Sequence, residues 1–246
     1  MAIEFVAASK SETATGWTAD TVEIHAPAGT AAGDLMVVCF AAAKAANPVL
    51  TEPAGWTNFI SINSSWEFDC KISYRVFEAG DHSWTWTTTL DTGAGGVILS
   101  FSGVKVADPL NVYDGKEENT ATPMDIAEIT TTVNNCMVII FGCQNATLPV
   151  FSAPTVASLT MTEQIDINDP KSGASGSWVG VVAATGLLAT AGATGAGQVA
   201  WSPSTTGGGN IALVALNPAP TGLTINGVLA SAVDGVAYSA VDGIAV

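Results

Sequence analysis

The chain has 246 residues with 7 Lys or Arg against 22 Asp or Glu, so its formal net charge is −15 at pH 7. This charge argues against nucleic acid, since phosphate contacts need clustered Lys and Arg, and against docking on anionic membranes. A hydrophobic content of 48% excludes a disordered acidic polypeptide and is enough for a sizeable core without metal or disulfide cross-links.

Short strand-like segments recur along the chain between Gly, Pro, Asn and Asp residues. No segment has the sustained i, i+3, i+4, i+7 apolar spacing of an amphipathic helix. The predicted strands, in chain order, are Ile3–Ala8, Thr21–Ala26, Asp34–Ala42, Trp56–Ile62, Phe68–Phe77, Ser83–Thr88, Gly96–Ser102, Met124–Thr131, Cys136–Cys143, Val156–Ile165, Trp178–Ala183, Gln198–Ser202 and Asn210–Leu216.

Two of these segments indicate how the strands pack. Residues 71–77 alternate, with Ile72, Tyr74 and Val76 on one face, as in a strand with one side in the core. Residues 137–141 are apolar throughout, which is typical of a strand covered on both faces. We therefore predict an all-β fold, a two-sheet antiparallel β-sandwich of jelly-roll-like type over residues 1–217, followed by an extended C-terminal tail over 218–246.

The predicted tail contains a repeat and lies next to an uncharged segment. Ser231–Ala237 recurs as Ser239–Ala245, and the even shift of eight keeps equivalent side chains on one side of an extended chain. No charged residue occurs between Ser172 and Val233. The apolar residues of the tail are predicted to contact a partner: Leu229, Val233, Val236, Val241, Ile244 and Val246.

The sequence contains no arrangement that predicts catalysis. His25 and His82 are the candidate bases for a hydrolytic triad, but neither lies in a known signature and no GxSxG motif occurs. The carboxylate pairs closest to a glycosidase arrangement are Glu67 with Asp69 and Glu117 with Glu118. The second pair lies in residues 114–119, which we predict to be a solvated loop. We expect a protein that is not an enzyme and has no catalytic residues.

Metal and cofactor binding receive equally little support. Cys39, Cys70, Cys136 and Cys143 show neither a CxxC motif nor paired Cys/His spacing, so we predict reduced, structural cysteines. The segment Asp166–Asp169 offers several oxygens but lacks EF-hand spacing. An Asx turn before Pro170 is the preferred interpretation of that segment, with a loosely held Ca²⁺ as the alternative. No cofactor is expected.

Trp84 and Trp86 lie on one face of a predicted strand, which leaves two interpretations. If exposed, the two indoles would form a platform for stacking sugars; if they face the second sheet, they are core residues. Core packing is the preferred interpretation, and glycan stacking remains as an alternative.

Several turn and strand motifs, taken in order, resemble a known family. They are Pro27–Val38, Pro53–Thr57, Tyr74–Phe77, Ser100–Val104, Asp108–Leu110 and Ile211–Pro218. In these motifs the sequence resembles a β-sandwich module of tailed-bacteriophage structural proteins, found in head-surface and tail-fibre-type chains. The resemblance covers roughly residues 15 to 218 and implies no catalytic residues.

The resemblance implies a non-enzymatic virion component. The expected role is a head decoration, cement or head-spike-base protein that binds the major capsid protein and other copies of itself, with a homotrimer as the expected assembly. The first residues lack the features of a secretory signal, so synthesis in the host cytoplasm and incorporation into the virion are expected. The alternatives are a tail-fibre or receptor-binding component, or a carbohydrate-binding β-sandwich module.

Overall fold

The computed structural model describes residues 2–11, 21–43, 49–63, 68–88, 93–118, 123–144, 150–167, 179–202 and 209–220, with the backbone of 223–225 and 228–230. Within these ranges the chain is all-β, contains no helix and pairs its strands in antiparallel sheets, as predicted. No helix capable of crossing a bilayer is therefore found in this part of the chain.

The first half of the chain forms one large sheet and one small sheet. Its strands are β1 (Glu4–Lys10), β2 (Thr21–His25), β3 (Leu35–Ala43), β4 (Leu50–Thr51), β5 (Thr57–Asn63), β6 (Phe68–Val76), β7 (Ser83–Thr88) and β8 (Gly93–Ser102). The large sheet has the order β1-β8-β3-β6-β5, and the small sheet has the order β2-β7-β4.

The second half forms a large sheet of its own and two small sheets. Its strands are β9 (Leu110–Glu118), β10 (Met124–Ile126), β11 (Cys136–Gln144), β12 (Val150–Phe151), β13 (Thr155–Val156), β14 (Thr162–Ile167), β15 (Gly180–Leu188), β16 (Gly197–Val199), β17 (Trp201–Ser202) and β18 (Gly209–Leu216). The large sheet has the order β14-β15-β11-β18-β9, and the small sheets are β10-β16-β13 and β12-β17.

The two halves repeat one strand order. In each large sheet the first strand of the half pairs with its last strand, which then pairs with the long central strand. Thus β1-β8-β3-β6-β5 in the first sheet corresponds to β9-β18-β11-β15-β14 in the second. From the sequence we expect a repeat in the tail alone. The repeat between the halves lies in the strand order and needs little residue identity, because many apolar residues suit the same strand position.

Three hydrophobic clusters hold the layers together. The largest, which we call the central core, combines inward side chains of both large sheets, among them Leu35, Phe101 and Phe141. The outer face of the first large sheet packs on β2, β4 and β7 through residues such as Phe40 and Trp86. The outer face of the second packs on the small sheets of its own half. Both large sheets are therefore covered on two faces, which explains their apolar central strands.

Strand β9 corrects one prediction. Residues 114–119 are expected from the sequence to form a solvated loop, but residues 110–118 are a strand that pairs with β18 from Leu110–Leu216 to Glu118–Gly209. The strand lies at the edge of its sheet, where charged side chains discourage pairing with other molecules. Lys116 and Glu118 form an ion pair there at 2.6 Å. Polar composition is thus compatible with a strand at this position.

Other strand boundaries differ more modestly from the expectation. The predicted strand Met124–Thr131 ends at Ile126, and the predicted strand Val156–Ile165 is divided into β13 and β14. Near the C-terminus, β19 (Leu223–Ile225) and β20 (Val228–Ala230) pair as a short antiparallel hairpin. Leu229 belongs to β20. The other predicted tail contacts, Val233, Val236, Val241, Ile244 and Val246, lie outside the described residues, so the interface stays a prediction.

Candidate functional site

Three cysteines from three different strands meet in the central core. Cys39 of β3 and Cys70 of β6 come from the first large sheet, and Cys143 of β11 comes from the second. The Sγ atoms lie 3.2 Å apart for Cys39 and Cys143, and 3.6 Å apart for each of the other two pairs. We call this group the thiol cluster.

The alternation of side chains along each strand produces this meeting. Cys39 lies between Val37 and Ala41 on the inner face of β3, and Ala41 is directly opposite Cys70 in the neighbouring strand. All three cysteines are at most 1% exposed. The thiol cluster therefore lies in a dry environment, where electrostatic and hydrogen-bonding effects on sulfur are stronger than in water.

The three thiols differ in acidity because of their mutual contacts. Burial, followed by the hydrogen bonds with Cys143 and Cys70, raises the pKa of Cys39 well above the ordinary value of 9.0. Hydrogen bonds from Cys143 and Cys39 lower the pKa of Cys70 to about 5, against the opposing effect of burial. A thiolate formed in the cluster is thus stabilised chiefly by the S–H groups beside it.

A buried amide lies beside the thiol cluster. Asn210 of β18 is directly opposite Cys143, so the two side chains share the inner face of the second sheet. Its Nδ2 donates to the carbonyl oxygen of Phe68, two residues before Cys70, at 3.4 Å. Asn210 is 1% exposed, and its Oδ1 has no hydrogen-bond partner among the described residues. A buried polar oxygen without a partner is uncommon and calls for an explanation.

Three soft sulfurs and one unpartnered oxygen can bind a thiophilic metal ion. The spacing of these residues in the sequence does not predict such a site. Cys39 and Cys70 are 31 residues apart, and Cys70 and Cys143 are 73 residues apart. Such separations match no known ligand spacing. The cluster depends on which strands face each other across the core, which alternation within a strand does not determine. The fourth cysteine, Cys136, lies outside the cluster, and its Sγ donates to the Val133 carbonyl oxygen at 3.3 Å.

A second notable group of residues fixes the backbone that directly follows β18, the last strand of the second large sheet. Asn217 donates through Nδ2 to the carbonyl oxygens of Asp108 and Leu110, at 2.9 Å and 3.1 Å, and accepts from Asn111 at 2.9 Å. Its backbone carbonyl accepts from Lys105. The backbone N–H of Ala219 donates to the Gly103 carbonyl oxygen at 2.7 Å. We call residues 103–111 with 217–219 the C-terminal junction.

A second network on the first large sheet holds the turn that begins at Pro27 and the turn that begins at Pro53. Arg75 forms a two-pronged ion pair with Asp81, at 2.9 Å and 3.1 Å, and donates to the Ala54 carbonyl oxygen at 3.3 Å. The turn that ends at Asp34 is held by Phe77, whose backbone N–H donates to the Asp34 carbonyl oxygen at 2.8 Å. Gly55, Tyr74 and Arg75 line part of a shallow cavity of about 270 Å³ at this surface. The Arg75 side chain at this cavity is thus already engaged by Asp81 and by the turn at Ala54.

Trp84 and Trp86 are core residues in the structure. Trp84 is 8% exposed and Trp86 is 1% exposed, and both belong to the cluster between the first large sheet and its small sheet. Trp56 packs edge-on against Trp84, with ring centroids 5.2 Å apart. A sugar-stacking platform needs a solvent-facing ring. Both indoles face the first large sheet, so neither ring offers the exposed face that glycan stacking requires.

The remaining predicted candidates do not gather at one place. His25 and His82 are exposed at the end of the small sheet, with His25 paired to Ser83. Asp69 is buried at 5% exposure in β6, whereas Glu67 lies outside the described residues. Glu117 and Glu118 follow each other along the edge strand β9. Of the proposed Ca²⁺ segment, Asp166 is part of β14, and residues 168 and 169 are outside the described part of the chain.

Comparisons with protein-family models, curated proteins and solved structures give no match to this chain. The interpretation of its function therefore depends on the residues themselves, on their arrangement in the fold, and on the motif resemblance stated above.

Proposed function

We propose that this chain is a non-enzymatic structural protein of a tailed-phage virion, built on a jelly-roll-like β-sandwich and attached to its neighbours through the segment after Pro220. The favoured location is the head surface, where it would act as a decoration, cement or spike-base protein against the major capsid protein. Self-association, with a homotrimer as the expected form, would multiply weak contacts into stable attachment.

The observation that carries this proposal is the C-terminal junction. Asn217 and Ala219 are fixed to residues 103–111 by several hydrogen bonds, so the segment that follows is attached to a well-connected base. A rigid base lowers the entropy that an arm loses when it binds a neighbour. An apolar arm held in this way is suited to adding strands or apolar side chains to another subunit.

Further support comes from the surface around the junction. The partly exposed apolar residues Val106, Val133 and Leu187 lie at the same end of the second large sheet as Asn217. Apolar groups beside the junction would add buried area to a contact made there. The net charge of −15 on the whole chain would keep free subunits apart until a specific contact forms.

The motifs that carry the phage resemblance have structural partners. The junction joins Ile211–Pro218 to Ser100–Val104 and Asp108–Leu110, although the first motif is far from the other two in the chain. The turn Pro27–Asp34 is hydrogen-bonded to Phe77, and the turn at Pro53 is hydrogen-bonded to Arg75. Residues of this kind specify a fold rather than a reaction, which favours a structural role.

The proposal is tested by removing the arm without disturbing its base. A chain ending at Pro220 keeps every hydrogen bond of the junction and should be monomeric by light scattering, whereas the full chain should form a defined oligomer. A full-length V236D/I244D variant should also dissociate. The matched control is Val150→Asp, which places an acid on an apolar residue that is 59% exposed and lies away from the junction. The proposal is overturned if the truncated chain has the same number of subunits per particle as the full chain.

The head and tail alternatives differ in copy number. A head decoration or cement protein is present in many copies per particle, whereas a tail-fibre or receptor-binding component is present in few. Quantitative mass spectrometry of purified virions, referred to the major capsid protein, distinguishes the two. Absence of the chain from virions of a phage that encodes it would contradict both.

A further inference from the structure

We propose that the thiol cluster binds one Zn²⁺ ion inside the central core, through the sulfurs of Cys39, Cys70 and Cys143 and the Oδ1 atom of Asn210. This site is independent of the proposed virion role. It would act as an internal cross-link between the two large sheets, since its ligands come from β3 and β6 on one side and from β11 and β18 on the other.

The separations of the sulfurs fit one small ion. A tetrahedral Zn²⁺ with Zn–S bonds of about 2.3 Å places its sulfur ligands about 3.8 Å apart. The three Sγ separations here are 3.2, 3.6 and 3.6 Å, so the Cys39–Cys143 pair needs to widen by about 0.6 Å and each of the other two pairs by about 0.2 Å. All three sulfurs lie on the inner faces of their strands, and the backbone pairing need not change.

A disulfide fits the same sulfurs less well. The shortest separation, 3.2 Å between Cys39 and Cys143, exceeds an S–S bond of about 2.05 Å by more than 1 Å. Closing that bond would require an oxidant to take up two electrons and two protons, and it would leave Cys70 as an unpaired thiol. Binding of Zn²⁺ uses all three sulfurs, requires no oxidant and releases to solvent whatever protons the thiols still carry.

Asn210 provides the second, independent observation. Its Oδ1 is buried without a partner among the described residues, next to Cys143 in the adjacent strand. Its Nδ2 is directed to the Phe68 carbonyl oxygen on the other sheet, which places the amide across the core near Cys70. With three thiolates, one Zn²⁺ and the neutral Asn210 oxygen, the occupied site has a net charge of −1. Charges buried in a protein core are as a rule paired or coordinated to a metal ion.

Two of the three cysteines lie near strand ends, whereas Cys39 is the central residue of β3. Cys143 is the residue before the last of β11, and Cys70 is the third residue of β6. Metal sites of this kind form together with the fold, because the ligands are brought together only in the folded chain. Zn²⁺ should therefore be offered to the protein while it folds.

The test uses the full-length chain, refolded under reducing conditions with Zn²⁺ and washed free of excess metal. We expect one Zn²⁺ per chain by native mass spectrometry and a higher midpoint of thermal unfolding than for protein refolded without metal. Cys143→Ser and Cys70→Ser should weaken binding by at least about 100-fold, and Asn210→Ala by roughly 10- to 100-fold. Cys136→Ser, which changes a buried cysteine outside the cluster, should bind like the wild type.

Three outcomes would overturn the proposal. The first is wild-type protein that folds, shows four reduced thiols by titration and binds no Zn²⁺. The second is binding that survives in Cys143→Ser and Cys70→Ser alike. The third is a disulfide, detected as two missing thiols with no change on adding Zn²⁺. If the serine variants fail to fold, the wild type is refolded with Co²⁺ instead. Three thiolate ligands produce sulfur-to-cobalt charge-transfer absorption, whereas an oxygen-rich surface site does not.

Discussion

Asn217 and Asp108 are 109 residues apart in the chain, yet the Asn217 amide donates to the Asp108 carbonyl oxygen at 2.9 Å. The same amide group also donates to the Leu110 carbonyl oxygen. One side chain thus joins the segment between the two halves of the chain to the end of the last strand of the large sheets. The stability of this junction can be measured directly.

Replacing Asn217 with Ala should lower the free energy of unfolding by about 2–4 kcal/mol, because the change removes three partly buried side-chain hydrogen bonds and takes away the donor of two carbonyl groups. Chemical denaturation of the variant measures the effect. The matched control is Asn134→Ala, which removes one exposed hydrogen bond to the Ala191 amide and should cost at most about 1 kcal/mol. Equal losses in the two variants would contradict the role assigned to Asn217.

Replacing Gly55 with Ala should destabilise the protein more than replacing Gly33 with Ala. Both residues have a positive φ, of 86° and 97°, which costs a residue with a side chain about 1–2 kcal/mol. A Cβ at Gly55 would lie 1.7 Å from Arg75 Nη1, whereas a Cβ at Gly33 would have no atom within 4 Å. Gly33→Ala therefore measures the backbone effect alone, and Gly55→Ala should lose more stability because Arg75 must move. Thermal unfolding of both variants tests this, and an equal loss would refute it.

Because of the ion pair between Arg75 and Asp81, the free energy of unfolding should decrease at low pH. Partial burial acts to raise the pKa of Asp81, but hydrogen bonds from Arg75 and from the Glu78 amide outweigh it and lower the pKa below 3.8. A lowered folded-state pKa means that the stabilisation is complete above the unfolded-state value and is lost as the pH falls through the folded-state value. Urea unfolding at pH 7 and pH 3 should show a larger loss for the wild type than for Asp81→Asn. Equal losses would show that Asp81 does not contribute.

Trp86 should behave as a core residue in stability and binding experiments alike. Trp86→Ala should lower the free energy of unfolding by about 3–5 kcal/mol, because a large, 1% exposed side chain is removed from a packed cluster. The control, Tyr113→Ala, changes an aromatic ring that is 43% exposed and should cost at most about 1 kcal/mol. Tryptophan fluorescence of the wild type should not respond to a panel of glycans. A glycan response lost in Trp86→Ala would restore the stacking interpretation.

Much of the fold follows from local pattern. The boundaries of the strand Ser83–Thr88 are predicted from its alternation of large apolar and polar residues, and most other strands are predicted to within a few residues. Strand β9 is missed because its charges, Lys116 to Glu118, are equally typical of a loop. A strand at an edge keeps one side in solvent, so hydropathy alone does not distinguish the two.

The orientation of the central strands illustrates why the site is harder to predict. Met36–Phe40 and Met137–Phe141 are similar apolar runs at the centres of their sheets. Met36 and Phe40 face the small sheet of the first half, whereas Met137 and Phe141 face the central core. A run that is apolar on both faces contains no signal for which face is which, and a shift of one residue reverses every side chain. The meeting of Cys39 with Cys143 depends on that choice.

The repeated strand order allows a specific kind of misfolding. Each large sheet is made entirely by one half of the chain, and residues 103–109 connect the halves. In a concentrated refolding mixture, the first half of one molecule can therefore dock onto the second half of another, giving an intertwined dimer by domain swapping. The hydrogen bonds that Asn217 makes to the connecting segment oppose such an exchange, because they hold the two halves of the same molecule together while the sheets close.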